Sequence, residues 1–269
     1  MTTVEKTIKY FGITLAILLS VAIFSLILSI VYEIFSSFNF ITEKDVKEEY
    51  KYNEYDETIN LLDVDIKGTN LKIETNKKLA VETSNKDVSV TINNNKLIVK
   101  DNSKKVIGRK KLKDLTIYIP ENIEFEKVKI AAGAGKVNIE NIFTKDLIIS
   151  LGAGSSNLNN INSQTTKIET GAGNVNINDS NLNNLDLDLG IGEVNLNSNI
   201  TGNSKIDSGI GEVNLLLPND LEYYTFELSK GVGEIKLNGE LIKNDTTIGS
   251  GENYLKIDGG IGEINIKTK

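Results

Sequence analysis

Beyond residue 59 apolar and polar residues alternate over almost the whole chain, the period-two signature of half-buried β-strands. From Gly133 onward the alternation is punctuated by a Gly-x-Gly tripeptide. It opens at Gly133, Gly152, Gly171, Gly190, Gly209, Gly231 and Gly260, and closes at Gly135, Gly154, Gly173, Gly192, Gly211, Gly233 and Gly262. Successive copies lie 19 residues apart for four intervals, then 22 and 29. A fixed period of this kind predicts stacked equivalent coils, with the surplus residues of the last two intervals as inserted loops.

The columns of the repeat can be read directly. Four places after the first glycine come Val137, Ser156, Val175, Val194, Val213, Ile235 and Ile264; six places after come Ile139, Leu158, Ile177, Leu196, Leu215, Leu237 and Ile266. Both columns are expected to line a core. Before the motif, Leu147, Ile149 and Leu151 correspond to Leu185, Leu187 and Leu189, and the middle residue of the tripeptide keeps their parity, which predicts that it faces inward too. Parity then flips by one. A strand changes face only at a corner, and the second glycine, free to take positive φ, is expected to supply it. Each coil therefore reads as strand, corner, strand and a polar turn such as Asn178 to Asn184. The outward position five after the first glycine holds Asn138, Asn157, Asn176, Asn195, Asn214, Lys236 and Asn265. Stacked at about 4.8 Å these amides predict a hydrogen-bonded ladder of structural value.

Residues 59–132 alternate less regularly and read as degenerate coils that also cap the stack, because a bare first sheet edge invites aggregation. Asn93 to Asn95 and Gly68 to Asn70 sit between apolar runs, as hairpins or tight turns require, and Pro120 is expected to stop a strand. Asn238-Gly239 predicts a type I′ hairpin tip. Lys267 and Lys269 place charge on the last strand, as expected at an open edge of the stack.

Gly12 to Tyr32 is a run of 21 residues without a formal charge, long enough at about 1.5 Å per residue to span a bilayer core. Its length, and the Tyr32-Glu33-Ile34-Phe35 sequence that follows, favour an uncleaved anchor over a signal peptide. Lys9 abuts the span, whereas acidic residues mix with the lysines beyond it, which predicts a short tail inside and the large domain outside. The chain thus divides into a tail at 1–11, a transmembrane anchor at 12–35, a juxtamembrane stalk at 36–58, the degenerate coils and cap at 59–132, and the regular repeats at 133–269.

The 269 residues contain no Cys and no His, and Arg109 is the sole arginine, so thiol and imidazole chemistry and a disulfide framework are excluded. A net charge of -7 argues against nucleic acid as partner. Two outward columns beside the corner become acidic in the later coils: Glu193, Glu212, Glu234 and Glu263 on one side, and Glu169, Asp188, Asp207 and Asp258 on the other. A solvated face is the simplest reading; a cation site built from Asp188, Glu193, Asp207, Glu212, Asp258 and Glu263, or a basic partner, are the alternatives. The basic run Lys104, Lys105, Arg109, Lys110, Lys111 and Lys113 reads as a solvated loop, or as an anchor for anionic wall polymer or headgroups. Asp186, Asp188 and Asp207 are the only candidate carboxylate cluster for polysaccharide cleavage, and no arginine lies in the repeats to act as a lyase base. No helix follows any glycine motif, which excludes a phosphate loop.

The N-terminal anchor, Ile117 to Pro120, the Val128-Lys129-Ile130 run into Gly133-Ala134-Gly135, and the repeated Gly-x-Gly-x-Val-Asn-Ile/Leu units resemble the putative-adhesin family of β-strand repeat domains of unknown function, DUF4097-like and common in Firmicutes envelope proteins. The resemblance covers roughly residues 60 to 269. It implies an all-β solenoid without catalytic residues or cofactors, displayed at the cell envelope as a binding or scaffold module, with a link to envelope stress and an envelope polymer or protein as partner. A cytoplasm-facing regulatory scaffold and a carbohydrate-active β-helix enzyme are the alternatives.

Overall fold

The computed structural model describes residues 49–103 and 112–269. The anchor read at 12–35 and most of the basic run lie outside these residues. Among those described, no helix is long and apolar enough to cross a membrane. The described chain belongs to one compact unit, Val46–Lys269. It is all-β, and a 3-10 turn at Leu221–Tyr223 is its one helical element.

The repeat begins one coil earlier than the glycine motif. Strand β1 (Lys51–Tyr55) is followed by β2 (Leu61–Asn76), whose residues pair in parallel with the first regular coil: Ile66 with Ala132, Gly68 with Ala134, Leu71 with Val137 and Ile73 with Ile139. Gly68 to Asn70 is therefore not a hairpin or tight turn. It lies inside a continuous strand, at the corner of a founding coil whose apolar columns already match those above.

At the N-terminal end β5 and β6 lie parallel on β2, and antiparallel strands lie beyond them. β4 (Val88–Asn93) and β5 (Lys96–Asp101) form a hairpin over the first half of β2, its tip at Asn94 and Asn95 with φ of 50° and 60°. β6 (Lys113–Pro120) covers the second half and carries β3 (Leu79–Thr83) and β1 beyond it. Residues 51–55 of the predicted stalk thus belong to the folded cap, where the Tyr52 ring lies 6.1 Å from that of Tyr118.

Regular coils follow in β7 (Glu124–Asn183), β8 (Leu185–Thr201) and β9 (Asn203–Leu216). The 19-residue offset is exact in their pairing: Ala172 with Ile191 with Ile210, and Val175 with Val194 with Val213. All members of the two predicted core columns are buried, together with Leu147, Ile149, Leu185, Leu187 and Leu189. Continuous apolar layers of this kind supply the main driving force of the stack. The region read as a polar turn after Asn178 is a second corner within β7: Asp179 has φ 50°, Ser180 and Leu182 are buried, and the sheet continues to Asn183. The next coil has one residue fewer at that corner, where Asn178–Asn181 faces Asn197–Asn199, and Gly202, with φ 73°, lies in the turn that leads on to β9.

The stack does not end where the chain does. β10 (Tyr224–Leu237) is followed by β11 (Glu240–Leu241), β12 (Thr246–Gly249) and β13 (Asn253–Lys267), and the spatial order is β9, β13, β10. Ile261 pairs with Ile210 on one side and with Val232 on the other. Lys267 and Lys269 therefore do not guard the open edge, because their strand is interior. The edge strand is β10, and the long last interval covers it: β11 pairs with Lys236 and Leu237 through the Asn238-Gly239 tip, with φ of 52° and 85°, and β12 pairs with Thr225 to Leu228. The insertion is a cap whose strands run antiparallel to the edge strand, whereas β5 and β6 at the opposite end run parallel to β2.

Candidate binding face at the glycine corner

Every second glycine of the motif has φ between 133° and 149°, from Gly135 through Gly262, as the parity flip requires. Stacking adds a stricter demand. A Cβ on Gly192 would lie 1.8 Å from the carbonyl oxygen of Gly173 beneath it, and one on Gly260, the first glycine of its copy, 2.1 Å from that of Gly209. Both glycines are needed for neighbouring coils to approach at sheet distance, whatever their φ.

Between them, the middle residue departs from expectation. It does not join the core: Val232 is 65% exposed and Ile261 49%, while Ile191 and Ile210 are half-buried. Two flanking glycines give it no side-chain cover, and the corner turns it toward solvent. In stack order the column reads Ala134, Ala153, Ala172, Ile191, Ile210, Ile261, Val232. A β-branched row, half-buried at Ile191 and Ile210 and exposed at Ile261 and Val232, thus occupies four consecutive coils.

Acidic side chains flank that row. Three places after the first glycine, Glu193, Glu212, Glu263 and Glu234 stand in direct register. Stacked like charges are unfavourable, and neighbours relieve them: Asn195 and Asn265 donate Nδ2–H to Glu193 at 2.9 Å and Glu212 at 3.0 Å, and Lys236 Nζ lies 2.8 Å from Glu234 and 3.6 Å from Glu263. On the other side Asp188 pairs in register with Asp207, and Asp207 with Asp258. Burial pushes the Asp188 carboxyl above its usual range, and the charges of Asp186 and Asp207 add to the effect. A lysine column two residues away offsets this stripe, with Lys205 bonded to Asp207, Lys256 3.6 Å from Asp258, and Lys167 2.9 Å from Glu169. Sequence reading missed these lysines as partners, although their fixed offset from Glu169, Asp207 and Asp258 was there to find; before Asp188 the same place holds Asp186.

The six candidate cation ligands therefore fall into two columns on opposite sides of the glycine corner. Among the described residues, no group of three or more acidic side chains is placed to hold a metal ion. Of the candidate cleavage cluster, Asp186 lies 3.9 Å from Lys167 and Asp207 is tied to Lys205. In the early coils the same corner, with alanine at its apex, leaves an open depression of about 680 Å³ between Asp65, Lys67, Glu169 and Asp188.

Beside the corner, the asparagine ladder forms as predicted. Asn157, Asn176, Asn195, Asn214 and Asn265 each donate Nδ2–H to the Oδ1 of the asparagine one coil below, at 2.9 to 3.1 Å. Its last link joins Asn265 to Asn214, following the exchanged order of the coils. At the cap a buried network went unseen in the sequence. Asp101 accepts hydrogen bonds from the Thr69 hydroxyl at 3.0 Å and the Ser103 N–H at 2.9 Å, and Asn85 donates to the Thr69 hydroxyl. Burial pushes the Asp101 carboxyl up, but the bonds from Ser103, Thr69 and Lys67 outweigh it and hold the group below the ordinary aspartate range.

No curated protein matches the chain. Solved structures of low identity do. A structure described as a putative cell adhesion protein from Clostridium sporogenes is 16% identical, with 83% of this chain and 100% of that one aligned at a TM-score of 0.43. A putative adhesin from Bacteroides fragilis is 15% identical, over 83% and 98%, at 0.40. A putative lipid binding protein from Parabacteroides distasonis is 14% identical, over 82% and 97%, at 0.45. The family profile Toastrack DUF4097 matches residues 59–267, from just before β2 to the end of β13, and this chain is a member of that family.

Proposed function

We propose that this protein is a membrane-anchored, non-enzymatic display module, adhesin-like, which holds a rigid β-solenoid at the outer face of the cell envelope to bind an envelope polymer or protein. The observation that carries the proposal is the columnar surface. Each outward position recurs coil after coil in parallel register, so the domain offers linear arrays of like groups over several coils. Arrays suit recognition of an extended partner. Family membership supports the same reading, and the uncharged run at 12–32 with Lys9 beside it supplies the anchor and the orientation.

Topology is the decisive test. Single cysteines at Asn203 and Asp179, both exposed, should react with a membrane-impermeant maleimide in intact cells whose wall admits the reagent. Labelling that appears only after lysis would place the domain in the cytoplasm and replace display with a regulatory scaffold.

A further inference from the structure

We propose that the row Ile191, Ile210, Ile261 and Val232, with the acidic columns on either side, is a docking ridge for a cationic amphipathic helix. The inference rests on the display reading only for where such a helix would be met.

Three observations converge on this occupant. The fold itself does not need these side chains, because the first three coils hold alanine at the same apex and stack in the same register. Yet Val232 leaves 65% and Ile261 49% of its surface in water. Secondly, the change from Ala to Ile or Val coincides with the change from Lys136, Ser155 and Asn174 to Glu193, Glu212, Glu263 and Glu234 in the column beside it. Apolar apex and acidic flank thus switch on together at the same coil. Asp188, Asp207 and Asp258 complete the arrangement on the other side, so in three coils the apolar residue sits between two carboxylates. Lys205, Lys256 and Lys236 pair with four of these seven carboxylates, and the acidic excess that is left beside the apolar row is the complement of an apolar stripe bordered by lysines or arginines.

The third observation is pitch. Four rungs at about 4.8 Å span about 14 Å. Successive turns of an α-helix present their apolar residues every 5.4 Å or so, which lets about three turns laid along the ridge set one side chain near each rung. An extended strand laid the same way presents a residue to one face every 6.6 Å or so, a poorer match. A second copy of this chain would bring the same acidic columns face to face, and anionic headgroups would be repelled likewise.

The test uses the full-length chain and an 18-residue amphipathic peptide of leucine and lysine, acetylated and amidated, with a fluorescent label. Two control peptides share its length: a scramble of the same composition that abolishes the helical period, and a version with glutamate for every lysine. We expect saturable binding of the first peptide, at least tenfold weaker binding of both controls, and at least a tenfold loss when Ile191, Ile210, Ile261 and Val232 are all changed to Ala. The same loss is expected at low salt in the Glu193→Gln, Glu212→Gln, Glu263→Gln variant, whose changes are confined to surface side chains and which guards against misfolding of the first. Equal binding of the scramble, or full binding by the alanine variant with an unchanged melting temperature, would reduce the effect to bulk charge and overturn the proposal. So would a concentration-dependent dimer that the alanine variant abolishes, since the ridge would then belong to a second copy. These outcomes are read on purified protein and stand apart from the cysteine labelling, so either proposal can fail alone.

Discussion

At the scale of single residues, the glycine corner illustrates how a repeat constrains its own sequence. The second glycine was legible from the parity flip, but the collision that forbids a Cβ at either glycine arises between coils and leaves no trace along one strand. Gly192→Val must overcome both an unfavourable φ and a backbone oxygen 1.8 Å away. It should lower stability by about 3 kcal/mol or more, read as a fall in melting temperature. Ser156 is the converse case. It interrupts a column of Val and Ile, its Oγ is buried without a partner, and a cavity of about 10 Å³ lies beside it against Ala153 and Thr170. Ser156→Val should therefore stabilise the domain by about 1 kcal/mol, by removing an unsatisfied hydroxyl and filling space that its neighbours already fill. A lower melting temperature for this variant would mean that the hydroxyl holds a structural water.

At the scale of elements, the caps are the parts that matter most and read least clearly. Asn94-Asn95 and Asn238-Gly239 were recognisable because type I′ turns demand residues tolerant of positive φ. The pairing of what they join was not. The Gly-x-Gly-Glu pattern in β10 is equally at home on β9 or on β13, and no local signal says which of two similar strands comes next in space. Removing residues 253–269 should therefore leave β10 without its parallel partner β13, and limited proteolysis should cut within 224–249. Protection of that segment would show β10 docking directly on β9. At the other end, Asp101 joins the hairpin of β4 and β5 to the founding coil by accepting from the Thr69 hydroxyl and the Lys67 N–H, while the Ser103 N–H holds its other oxygen. Its carboxyl is depressed in the folded protein, so its stabilising contribution is complete above the unfolded pKa and is lost as pH falls through the folded one. Asp101→Ala should destabilise at pH 7, and the gap to the parent protein should narrow under acid; a gap constant with pH would assign the loss to packing.

Over the whole molecule, the sequence exposes columns well and surfaces poorly. In-register stacking makes every core position recur at the same offset, so Val194 and Leu196 announce the burial of their counterparts. Exposure at a corner depends on neighbours without side chains, and there the period-two rule placed Ile261 on the wrong side. Charge behaves in the same way. The acidic columns were visible, but their lysine and asparagine partners act through geometry between columns. We expect the acidic columns to behave as a solvated face toward small ions. Sodium chloride should raise the melting temperature modestly as it screens the stacked carboxylates, and millimolar calcium should add nothing at matched ionic strength. A calcium-specific rise lost in Glu212→Gln and Asp207→Asn would make these columns a cation site instead.

The exchange of the last two coils also bears on how the molecule is made. A chain emerging from the ribosome delivers β10, β11 and β12 before β13, yet β10 joins the stack only after β13 has entered beneath it. The earlier coils can be added one upon another as they appear, each resting on a finished one. The final coil breaks that sequence. Until translation has passed Lys267, the growing stack carries an unfinished end whose Gly231-Val232-Gly233 segment has no partner of its own. Completion is thus coupled to the synthesis of β13, and a product that stops short of that strand leaves β10 without its parallel neighbour and exposes β-sheet edge.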